Sequence, residues 1–234
     1  MSLFIIEANI GSGKSSLLNE LQSLKFDKPH ILIQEQVSEW ATLKDENNTD
    51  ILSLFYKDKK KYGYIFQSYV LFSRLSHLIK TIKENPNSII IAERSHLTDL
   101  KIFAKSLYES KDISEIEWVV YNKWHNELKK IFNIKISGII YLKTDPKVCM
   151  ERINKRSRKA ENGIPLEYLE LLDKKHNEWL IDRPKQRKDV EWFELEDNTV
   201  YPVLTLDGNI DFYYVEERIK QKELIIKFIN TLHS

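Results

Sequence analysis

Five short runs of aliphatic residues recur along the chain, and longer segments with helical periodicity separate them. Such runs are typical of strands buried on both faces, and helical connections between successive strands are typical of parallel pairing. The pattern therefore predicts an α/β fold with a five-stranded parallel sheet flanked by helices. The predicted strands cover residues 4–6, 31–33, 89–91, 139–142 and 203–206.

Two of the intervening segments have helical patterns rich in aromatic residues. One covers residues 60–84 and ends at an Asn-Pro-Asn breaker, and the other covers 115–132. Their apolar faces are wide, so either a helix–helix dimer contact or ordinary core packing accounts for them. The charged segment 182–189 is predicted to be a mobile surface loop. The apolar stripe of the first helix comprises Tyr62, Ile65, Phe66, Tyr69, Phe72, Leu75, Ile79 and Ile82, and the second helix carries Trp118, Val119, Tyr121, Trp124 and Leu128.

A phosphate-binding pattern follows the first predicted strand. Ala8 and Gly13-Lys14-Ser15 match the Walker A spacing, except that alanine replaces the first glycine, which is tolerable where φ is negative. Gly11 and Gly13 allow successive backbone N–H groups to turn toward an anion, and a helix starting near Lys14 would add its positive end. Lys14 is expected to reach the outer phosphates, and the Ser15 hydroxyl to bind magnesium. The alternative is a glycine turn whose lysine is merely solvated.

Charged residues follow the second and third predicted strands, at the sheet edge where parallel α/β proteins bind ligands. Glu35 follows the second strand, and Glu93 and Arg94 follow the third. Lone carboxylates there are usually caps or surface groups, but these accompany a phosphate loop. We expect Ser15 and Glu93 to hold magnesium, and Lys14 and Arg94 to neutralise phosphate oxygens. Glu35 is expected to accept the proton of an attacking hydroxyl, or to act as a further magnesium ligand through water.

A basic segment follows the fourth predicted strand. Arg152, Arg156 and Lys159 share one helical face, and Arg158 lies beside them. Basic helix ends are usually solvated, but beside a phosphate site the segment predicts a lid that closes over the donor and excludes water. The predicted lid covers about residues 152–164.

Polar residues interrupt the apolar pattern of the 60–84 helix. Gln67, Val70 and Arg74 project along one line of that helix. This register predicts a pocket wall, although an edge-of-core position is an open alternative. Asp99 is a candidate partner for Arg74.

Composition and charge limit the classes of partner. A chain of 234 residues suits one α/β domain, and we expect a single domain over residues 1–234. The 36 basic and 35 acidic residues give a net charge of +1, so no overall field favours binding to nucleic acid or membrane. The only cysteine, Cys149, is compatible with a reducing compartment. The N-terminal apolar run is too short for a signal peptide, so we expect a soluble, cytoplasmic protein.

The motifs together resemble those of the deoxyribonucleoside kinase family, in particular its deoxycytidine and deoxyguanosine kinase branch. The matching stretches are IEANIGSGKSS, EQVSEW, LFYKDKKKYGYIFQSYVLFSRL, ERSHLTDLKIFAKSLYES, IIYLKTDP, ERINKRSRKAENGIPLEYLELL and PVLTLD, in the family's order. The resemblance implies a P-loop kinase fold and transfer of the γ-phosphoryl group of ATP, or of another triphosphate such as UTP, to the 5′-hydroxyl of a deoxynucleoside. It also implies a bound Mg²⁺ ion. The aromatic-rich helix faces, rather than the resemblance, are the reason to expect a homodimer formed through helices.

The resemblance further implies a role for each matching residue. Glu35 is the general base, Arg94 contacts the reacting oxygens, and Lys14 completes the catalytic group. The implied metal ligands are Ser15, Glu35 and Glu93. The implied donor site comprises Asn9, Ile10, Gly11, Ser12, Gly13, Lys14, Ser15, Ser16, Arg152, Arg156, Arg158, Asp211 and Phe212. The implied nucleoside site comprises Glu35, Trp40, Phe55, Tyr56, Gln67, Val70, Arg74, Arg94, Asp99, Phe103 and Glu161.

The implied base preference depends on Arg74 and Asp99, which match the pair that separates this branch from thymidine-preferring relatives. A carboxylate held by arginine accepts from an exocyclic amino group, whereas thymine presents a carbonyl and a methyl group. Val70 is bulkier than the alanine typical of deoxycytidine kinases, so a broad-specificity or thymidine-preferring enzyme is an open alternative. A nucleoside monophosphate kinase is a further alternative, although Glu35 would repel its acceptor phosphate. A GTPase-like switch is another, but no guanine-specificity motif supports it.

Overall fold

The computed structural model describes residues 1–156, 158, 161, 163–182, 184–187, 190–194, 200–210 and 214–233. Within these residues the chain forms a seven-stranded sheet with the order β2-β3-β1-β4-β7-β6-β5. The strands are β1 (Ser2–Glu7), β2 (His30–Ile33), β3 (Ile89–Glu93), β4 (Gly138–Lys143), β5 (Pro184–Arg187), β6 (Val190–Glu194) and β7 (Val200–Asp207).

The five strands predicted from the sequence form the parallel part of this sheet. β1 pairs with β3 and β4, β2 pairs with β3, and β4 pairs with β7, all in parallel. The prediction of a five-stranded parallel sheet is therefore confirmed. β7 also pairs antiparallel with β6, and β6 with β5, so two further strands extend that edge.

The prediction of a mobile loop at 182–189 is wrong at its centre, where Pro184–Arg187 forms strand β5. Its backbone pairs with β6, so hydrogen bonding between main chains defines this strand rather than an apolar side-chain pattern. Proline is acceptable at the first position of an edge strand, and charged residues are typical of such edges.

Helices connect the parallel strands, and several of them begin at side-chain capping residues. The Asp58 side chain accepts from the backbone N–H of Lys61 at the start of α4, and Ser114 and Glu117 form a capping box at the start of α7. Among the described helices, none is long and apolar enough to cross a bilayer. The helices are α1 (Lys14–Leu21), α2 (Val37–Trp40), α3 (Ile51–Lys57), α4 (Lys59–Glu84), α5 (His96–Thr98), a π-helical segment (Asp99–Ala104), α6 (Lys105–Glu109), α7 (Glu115–Phe132), α8 (Pro146–Arg156), α9 (Leu166–Leu180) and α10 (Val215–His233).

Alternate residues of β1 face two separate apolar layers. Leu3 and Ile5 pack in a cluster with residues of α4 and α9, whereas Phe4 and Ile6 pack with residues of α1 and α10. Both faces of the parallel sheet are therefore covered, as its continuous apolar strands predict. The carboxyl ends of β1, β2 and β3 lie at the same edge, where the predicted site residues follow.

The apolar faces of α4 and α7 are only partly buried. Phe66 and Leu75 of α4 and Tyr121 of α7 are buried, as the helical pattern predicts. Phe72 of α4 is 62% exposed, however, and Trp124 of α7 is 60% exposed. Part of the predicted stripe on each helix therefore lies at the surface of the chain.

Candidate active site

A cavity of about 340 Å³ opens at the carboxyl ends of β1, β2 and β3. The phosphate loop and α4 both contribute to its walls. The structure therefore brings most of the predicted donor, nucleoside and metal residues into one cavity. The predicted residues that line it are Ile10, Gly11, Gly13, Lys14, Ser15, Ser16, Glu35, Trp40, Phe55, Tyr56, Gln67, Val70, Arg74, Glu93, Arg94, Asp99, Phe103, Arg156, Arg158 and Glu161.

The loop between β1 and α1 has the backbone that a phosphate loop requires. Gly11 and Gly13 have φ angles of 77° and 98°, in the left-handed region that favours glycine. A side chain at Gly11 would also approach the carbonyl oxygen of Cys149 on α8 to 2.5 Å. Ala8 is fully buried and does not have a positive φ, so the alanine is tolerated there, as expected.

Lys14 is the first residue of α1, and its side chain is buried across the loop. Its ammonium group donates to the carbonyl oxygens of Ala8 at 3.2 Å and Asn9 at 2.7 Å. Burial and the charge of Arg94 lower the pKa of Lys14 to about 8, although nearby carboxylates act to raise it. A phosphate group beside this amine would favour its charged form.

Ser15 and Glu93 meet between the first turn of α1 and the end of β3. The Ser15 hydroxyl donates to both carboxylate oxygens of Glu93, at 3.2 and 3.1 Å. Hydroxyl and carboxylate oxygens are ligands that Mg²⁺ prefers. The pair therefore fits the metal site that the sequence predicts.

Arg74 of α4 joins two carboxylates from different parts of the chain. Its Nε and Nη2 atoms donate to Asp99 at 2.9 and 3.2 Å. The Nη2 atom also donates to Glu35 at 3.0 Å, and Nη1 donates to the carbonyl oxygen of Glu93 at 3.1 Å. The predicted Arg74–Asp99 pair is confirmed, whereas nothing in the sequence pattern indicates the link between Arg74 and Glu35.

Positive charges keep the Glu35 carboxyl group ionised. Burial acts to raise its pKa, but the charges of Arg94, Arg74 and Lys14 outweigh burial and lower the pKa to about 2. The Nε atom of Arg94 lies 3.7 Å from Glu35 Oε1. Burial likewise acts to lower the pKa of Arg74, but the carboxylates of Asp99 and Glu35 outweigh it and raise that pKa. At neutral pH the cavity therefore holds a carboxylate between two guanidinium groups.

Arg94 has an unusual backbone conformation for a residue with a long side chain. Its φ is 64°, a left-handed value that costs roughly 1–3 kcal/mol and persists only where the surroundings enforce it. Its backbone N–H donates to the carbonyl oxygen of Ile6 at 3.0 Å. Its guanidinium carbon lies 4.6 Å from the centre of the Phe103 ring. Backbone strain of this kind concentrates at functional sites.

The sequence profile of the deoxynucleoside kinase family matches residues 4–233. The chain belongs to this family. It is 36% identical to deoxycytidine kinase 1 of Xenopus laevis, over 97% of this chain and 90% of the relative. It is 37% identical to deoxycytidine kinase 2 of Gallus gallus, over 94% of this chain and 86% of the relative. It is 34% identical to the mitochondrial deoxyguanosine kinase of Xenopus laevis, over 88% of this chain and 81% of the relative. The protein is thus a deoxynucleoside kinase, and the predicted P-loop kinase fold is confirmed.

Aromatic side chains form much of the remaining cavity wall of this kinase. Phe55 stacks on Phe66 with ring centres 4.7 Å apart, and Trp40 meets Phe66 edge to face at 5.6 Å. The side-chain oxygen of Gln67 is buried in this wall and has no hydrogen-bond partner among the described residues. A buried polar atom of this kind can accept a hydrogen bond from a ligand in the cavity.

The basic segment of the kinase is described only in part. α8 ends at Arg156, so Arg158 lies beyond the helix and does not continue its face. Lys159, which the sequence places on that face, lies outside the described residues. The buried carboxylate of Glu161 accepts hydrogen bonds from Arg156 and, at 3.0 Å, from Arg158. Both arginines and Glu161 line the cavity, as predicted.

Three predicted donor residues of the kinase do not line the cavity, namely Asn9, Ser12 and Arg152. Arg152 donates to the carbonyl oxygens of Ser12 at 2.9 Å and Gly208 at 2.8 Å, so it joins the loop to the turn after β7. The Asn9 side chain donates to the carbonyl oxygen of Leu169 at 2.8 Å. The two remaining predicted donor residues, which lie outside the described residues, are Asp211 and Phe212.

Two residues of the kinase lie where the sequence gives no clear indication. Tyr168 of α9 lines the cavity, and the Lys59 ammonium group lies 3.6 Å from the centre of its ring. The apolar spacing of α9 indicates burial for Tyr168 but not contact with a cavity. His96 lies two residues after Arg94, yet it is buried and stacks on His125 with ring centres 5.3 Å apart, and it does not line the cavity.

Proposed function

We propose that this kinase transfers the γ-phosphoryl group of ATP, or of another nucleoside triphosphate such as UTP, to the 5′-hydroxyl group of a deoxynucleoside. One observation carries the proposal. Glu35, Arg94 and Lys14 line a single cavity that is also lined by the aromatic side chains of Trp40, Phe55, Tyr56, Phe66, Phe103 and Tyr168. Such a cavity can hold a triphosphate and a flat base, with the sugar hydroxyl between them.

Glu35 is the proposed general base. Its carboxylate accepts the proton of the 5′-hydroxyl as that oxygen attacks the γ-phosphorus. Lys14 and Arg94 stabilise the negative charge on the transferred phosphoryl group. The bond from the γ-phosphorus to the bridging oxygen breaks, and the nucleoside diphosphate leaves. Lys14 and Arg94 are buried and the Glu35 side chain is only 14% exposed, which supports this role because charge stabilisation is stronger away from water.

Magnesium is the proposed metal, with Ser15 and Glu93 as ligands and Glu35 as a further ligand through water. The close approach of the Ser15 hydroxyl to the Glu93 carboxylate supports this assignment. When bound, the ion neutralises charge on the phosphate oxygens.

The donor is proposed to contact the phosphate loop and the basic lid at about 152–164. Backbone N–H groups and the positive end of α1 would hold the phosphates. Arg156 and Arg158 would close over them, and Arg152 would hold the loop in place. The proposed donor contacts are Asn9, Ile10, Gly11, Ser12, Gly13, Lys14, Ser15, Ser16, Arg152, Arg156, Arg158, Asp211 and Phe212.

The acceptor is proposed to occupy the aromatic part of the cavity. Tyr56 and Glu161 would hold the sugar 3′-hydroxyl, and Gln67 would make two hydrogen bonds to the base edge. The buried, unpartnered oxygen of Gln67 supports that contact. Phe103 would stack on the base, and the rest of the pocket would be formed by Trp40, Phe55 and Val70.

Deoxycytidine and purine deoxynucleosides are the proposed acceptors. Asp99 is fixed by two hydrogen bonds from Arg74, so its carboxylate can accept from an exocyclic amino group. The relatives of the chain include proteins named deoxycytidine kinase and deoxyguanosine kinase, which supports the same preference.

We further propose one domain over residues 1–234, a cytoplasmic location and a homodimer, without a nucleic-acid or membrane partner. The single cysteine and the net charge of +1 support the compartment and the absence of polyanionic partners. Exposed apolar residues of α4 and α7 support the dimer. A groove of about 430 Å³ in this face is lined mainly by Phe72, Leu75, Ile79 and Phe132.

A substrate panel tests the function directly. The protein is incubated with Mg²⁺, ATP or UTP, and each natural deoxynucleoside or deoxynucleoside monophosphate. We expect phosphorylation of deoxycytidine and of purine deoxynucleosides, with less of thymidine. Equal rates with all four bases would indicate a broad-specificity enzyme. Phosphorylation of monophosphates alone would contradict the proposal and indicate a monophosphate kinase.

Glu35→Gln tests the proposed base. Glutamine can keep the hydrogen bond from Arg74 but cannot take up a proton, so we expect turnover to fall about 100-fold or more. The dissociation constant of the deoxynucleoside should change by less than about threefold. Glu39→Gln is the matched control, because Glu39 is an exposed carboxylate of α2 that does not line the cavity. Near-normal turnover of Glu35→Gln would exclude Glu35 as the base.

A further inference from the structure

Glu7 is a buried carboxyl group close to the site but outside the cavity. It is the last residue of β1, and it has no exposed surface. It follows the alternation of Leu3 and Ile5, so it faces the same side of the sheet. It does not line the cavity, and therefore a direct contact with substrate is not its role.

The Glu7 carboxyl group holds the turn that follows Arg94. Its Oε1 atom accepts hydrogen bonds from the hydroxyls of Ser95, at 3.3 Å, and Thr98. The same hydroxyls cap α5, because Ser95 Oγ accepts from the Leu97 backbone and Thr98 Oγ1 accepts from the Ser95 backbone. One carboxylate oxygen of β1 thus fixes both ends of the capping box.

Arg94 lies between two points at which β1 holds the chain. Before the turn, its backbone N–H donates to the carbonyl oxygen of Ile6, and after it, Ser95 and Thr98 donate to Glu7. A left-handed φ at an arginine persists only where its surroundings enforce it. These contacts on either side restrain the Arg94 backbone, together with the hydrogen bond from Arg74 to the Glu93 carbonyl oxygen.

We propose that Glu7 is a positioning residue for phosphoryl transfer, which fixes Ser95 and Thr98 and thereby holds the strained Arg94 backbone so that its guanidinium group lies beside Glu35. The inference rests on the proposed role of Arg94 in the reaction. Glu7 itself takes no part in proton or phosphoryl transfer.

The second oxygen of Glu7 makes glutamine a close substitute. Oε2 has no hydrogen-bond partner among the described residues. Burial raises the pKa of Glu7 to about 7, although the Thr98 hydrogen bond and the charges of Arg94, Arg74 and Lys14 act to lower it. A neutral amide whose oxygen accepts from Ser95 and Thr98 can therefore replace the carboxyl group.

Paired substitutions test the proposal. Thr98→Val removes the hydroxyl at nearly constant volume, whereas Thr98→Ser keeps it. In the second pair, Glu7→Leu removes the acceptor oxygen, whereas Glu7→Gln keeps it. We expect Thr98→Val and Glu7→Leu to lower kcat about 10- to 100-fold, because misplacement of a catalytic group by about 1 Å can cost about 100-fold in rate. Thr98→Ser and Glu7→Gln should retain kcat within about threefold, and KM for the deoxynucleoside should change less than kcat in all four.

Thr81→Val is the matched control. Thr81 is another threonine with little exposed surface, but its hydroxyl donates within α4 to the carbonyl oxygen of His77. It should lower thermal stability without lowering kcat. If Thr98→Val also lowers only the melting temperature and leaves kcat unchanged, the positioning role is excluded. Should Glu7→Leu fail to fold, the Thr98 pair decides the question alone.

An Arg94→Ala background separates this inference from the function on which it rests. If Thr98 and Glu7 act through Arg94, Thr98→Val should lower kcat little further once Arg94 is absent. An equal loss in both backgrounds would overturn the inference while leaving the role of Arg94 intact. Full activity of Arg94→Ala itself would instead overturn the proposed role of Arg94, and with it the positioning role.

Discussion

Charged side chains in the cavity form ion pairs with one another. Arg74 holds both Asp99 and Glu35, and Arg94 lies 3.7 Å from Glu35. Removing one member of such a buried group leaves its partner unpaired, which typically costs about 3–5 kcal/mol. Single substitutions here therefore affect several neighbours, and informative variants change both partners or keep the hydrogen bond.

Lys14 should give the enzyme an alkaline limit. Its pKa is lowered to about 8, so the free enzyme loses the phosphate-binding charge as the pH rises through that value. We expect kcat/KM for the donor to fall above about pH 8, whereas kcat falls at higher pH because bound phosphates favour the ammonium form. Profiles of both constants measure this. In Lys14→Arg the pH at which kcat/KM falls should be higher, since guanidinium does not lose its proton. If that pH is unchanged, the fall in kcat/KM belongs to another group.

Arg74→Met combined with Asp99→Ala should shift acceptor preference toward thymidine. The double change removes both members of the Arg74–Asp99 pair, so neither is left without the other, and it removes the groups that thymine leaves unsatisfied, at about 1–3 kcal/mol each. We expect the ratio of kcat/KM for thymidine to that for deoxycytidine to rise about tenfold or more. Total turnover should also fall, because Arg74 holds Glu35. The ratio of the two constants is therefore the measurement, and an unchanged ratio would show that the pair does not read the base.

The sequence predicts which residues gather in the cavity better than it predicts their contacts. Spacing along α4 indicates Gln67, Val70 and Arg74 together, because helical geometry fixes their relative positions. The bond from Arg74 to Glu35 joins residues 39 positions apart and depends on how α4 lies against the end of β2. Periodicity carries no information about that packing.

At the scale of elements, continuous apolar strands and amphipathic helices are predictable because burial itself creates their patterns. The bounds of α7 match the prediction, and those of α4 differ by one residue. β5 has no such pattern, since an edge strand depends on its backbone partner. The end of α8 at Arg156 is also unpredicted, because basic residues continue beyond it without a local breaker.

Gly11→Ala should destabilise the protein, because the phosphate loop packs closely against α8 at this position. The added Cβ would lie 2.5 Å from the Cys149 carbonyl oxygen and 2.7 Å from a side-chain carbon of Ile153, at a φ of 77°. Gly163→Ala is the matched control, since Gly163 has a φ of 90° and such a Cβ would have no atom of the described residues within 4 Å. We expect Gly163→Ala to lower the free energy of unfolding by about 1–2 kcal/mol, and Gly11→Ala to lower it by more. Equal losses in denaturant unfolding would show that the α8 contact tolerates the added atom.

At the scale of the whole molecule, the exposed apolar residues of α4 and α7 predict the oligomeric state. A stable dimer needs a contact of about 1,000 Å² or more with an apolar centre, and Phe72 and Trp124 are large, exposed side chains suited to it. We expect light scattering to give twice 27.8 kDa for the native chain and a value near 27.8 kDa for Phe72→Lys combined with Trp124→Lys. Leu224→Lys should remain dimeric, because α10 packs on the opposite face of the sheet although Leu224 is 48% exposed. A native chain that stays monomeric at micromolar concentration, or a double variant that stays dimeric, would place the contact elsewhere or exclude it.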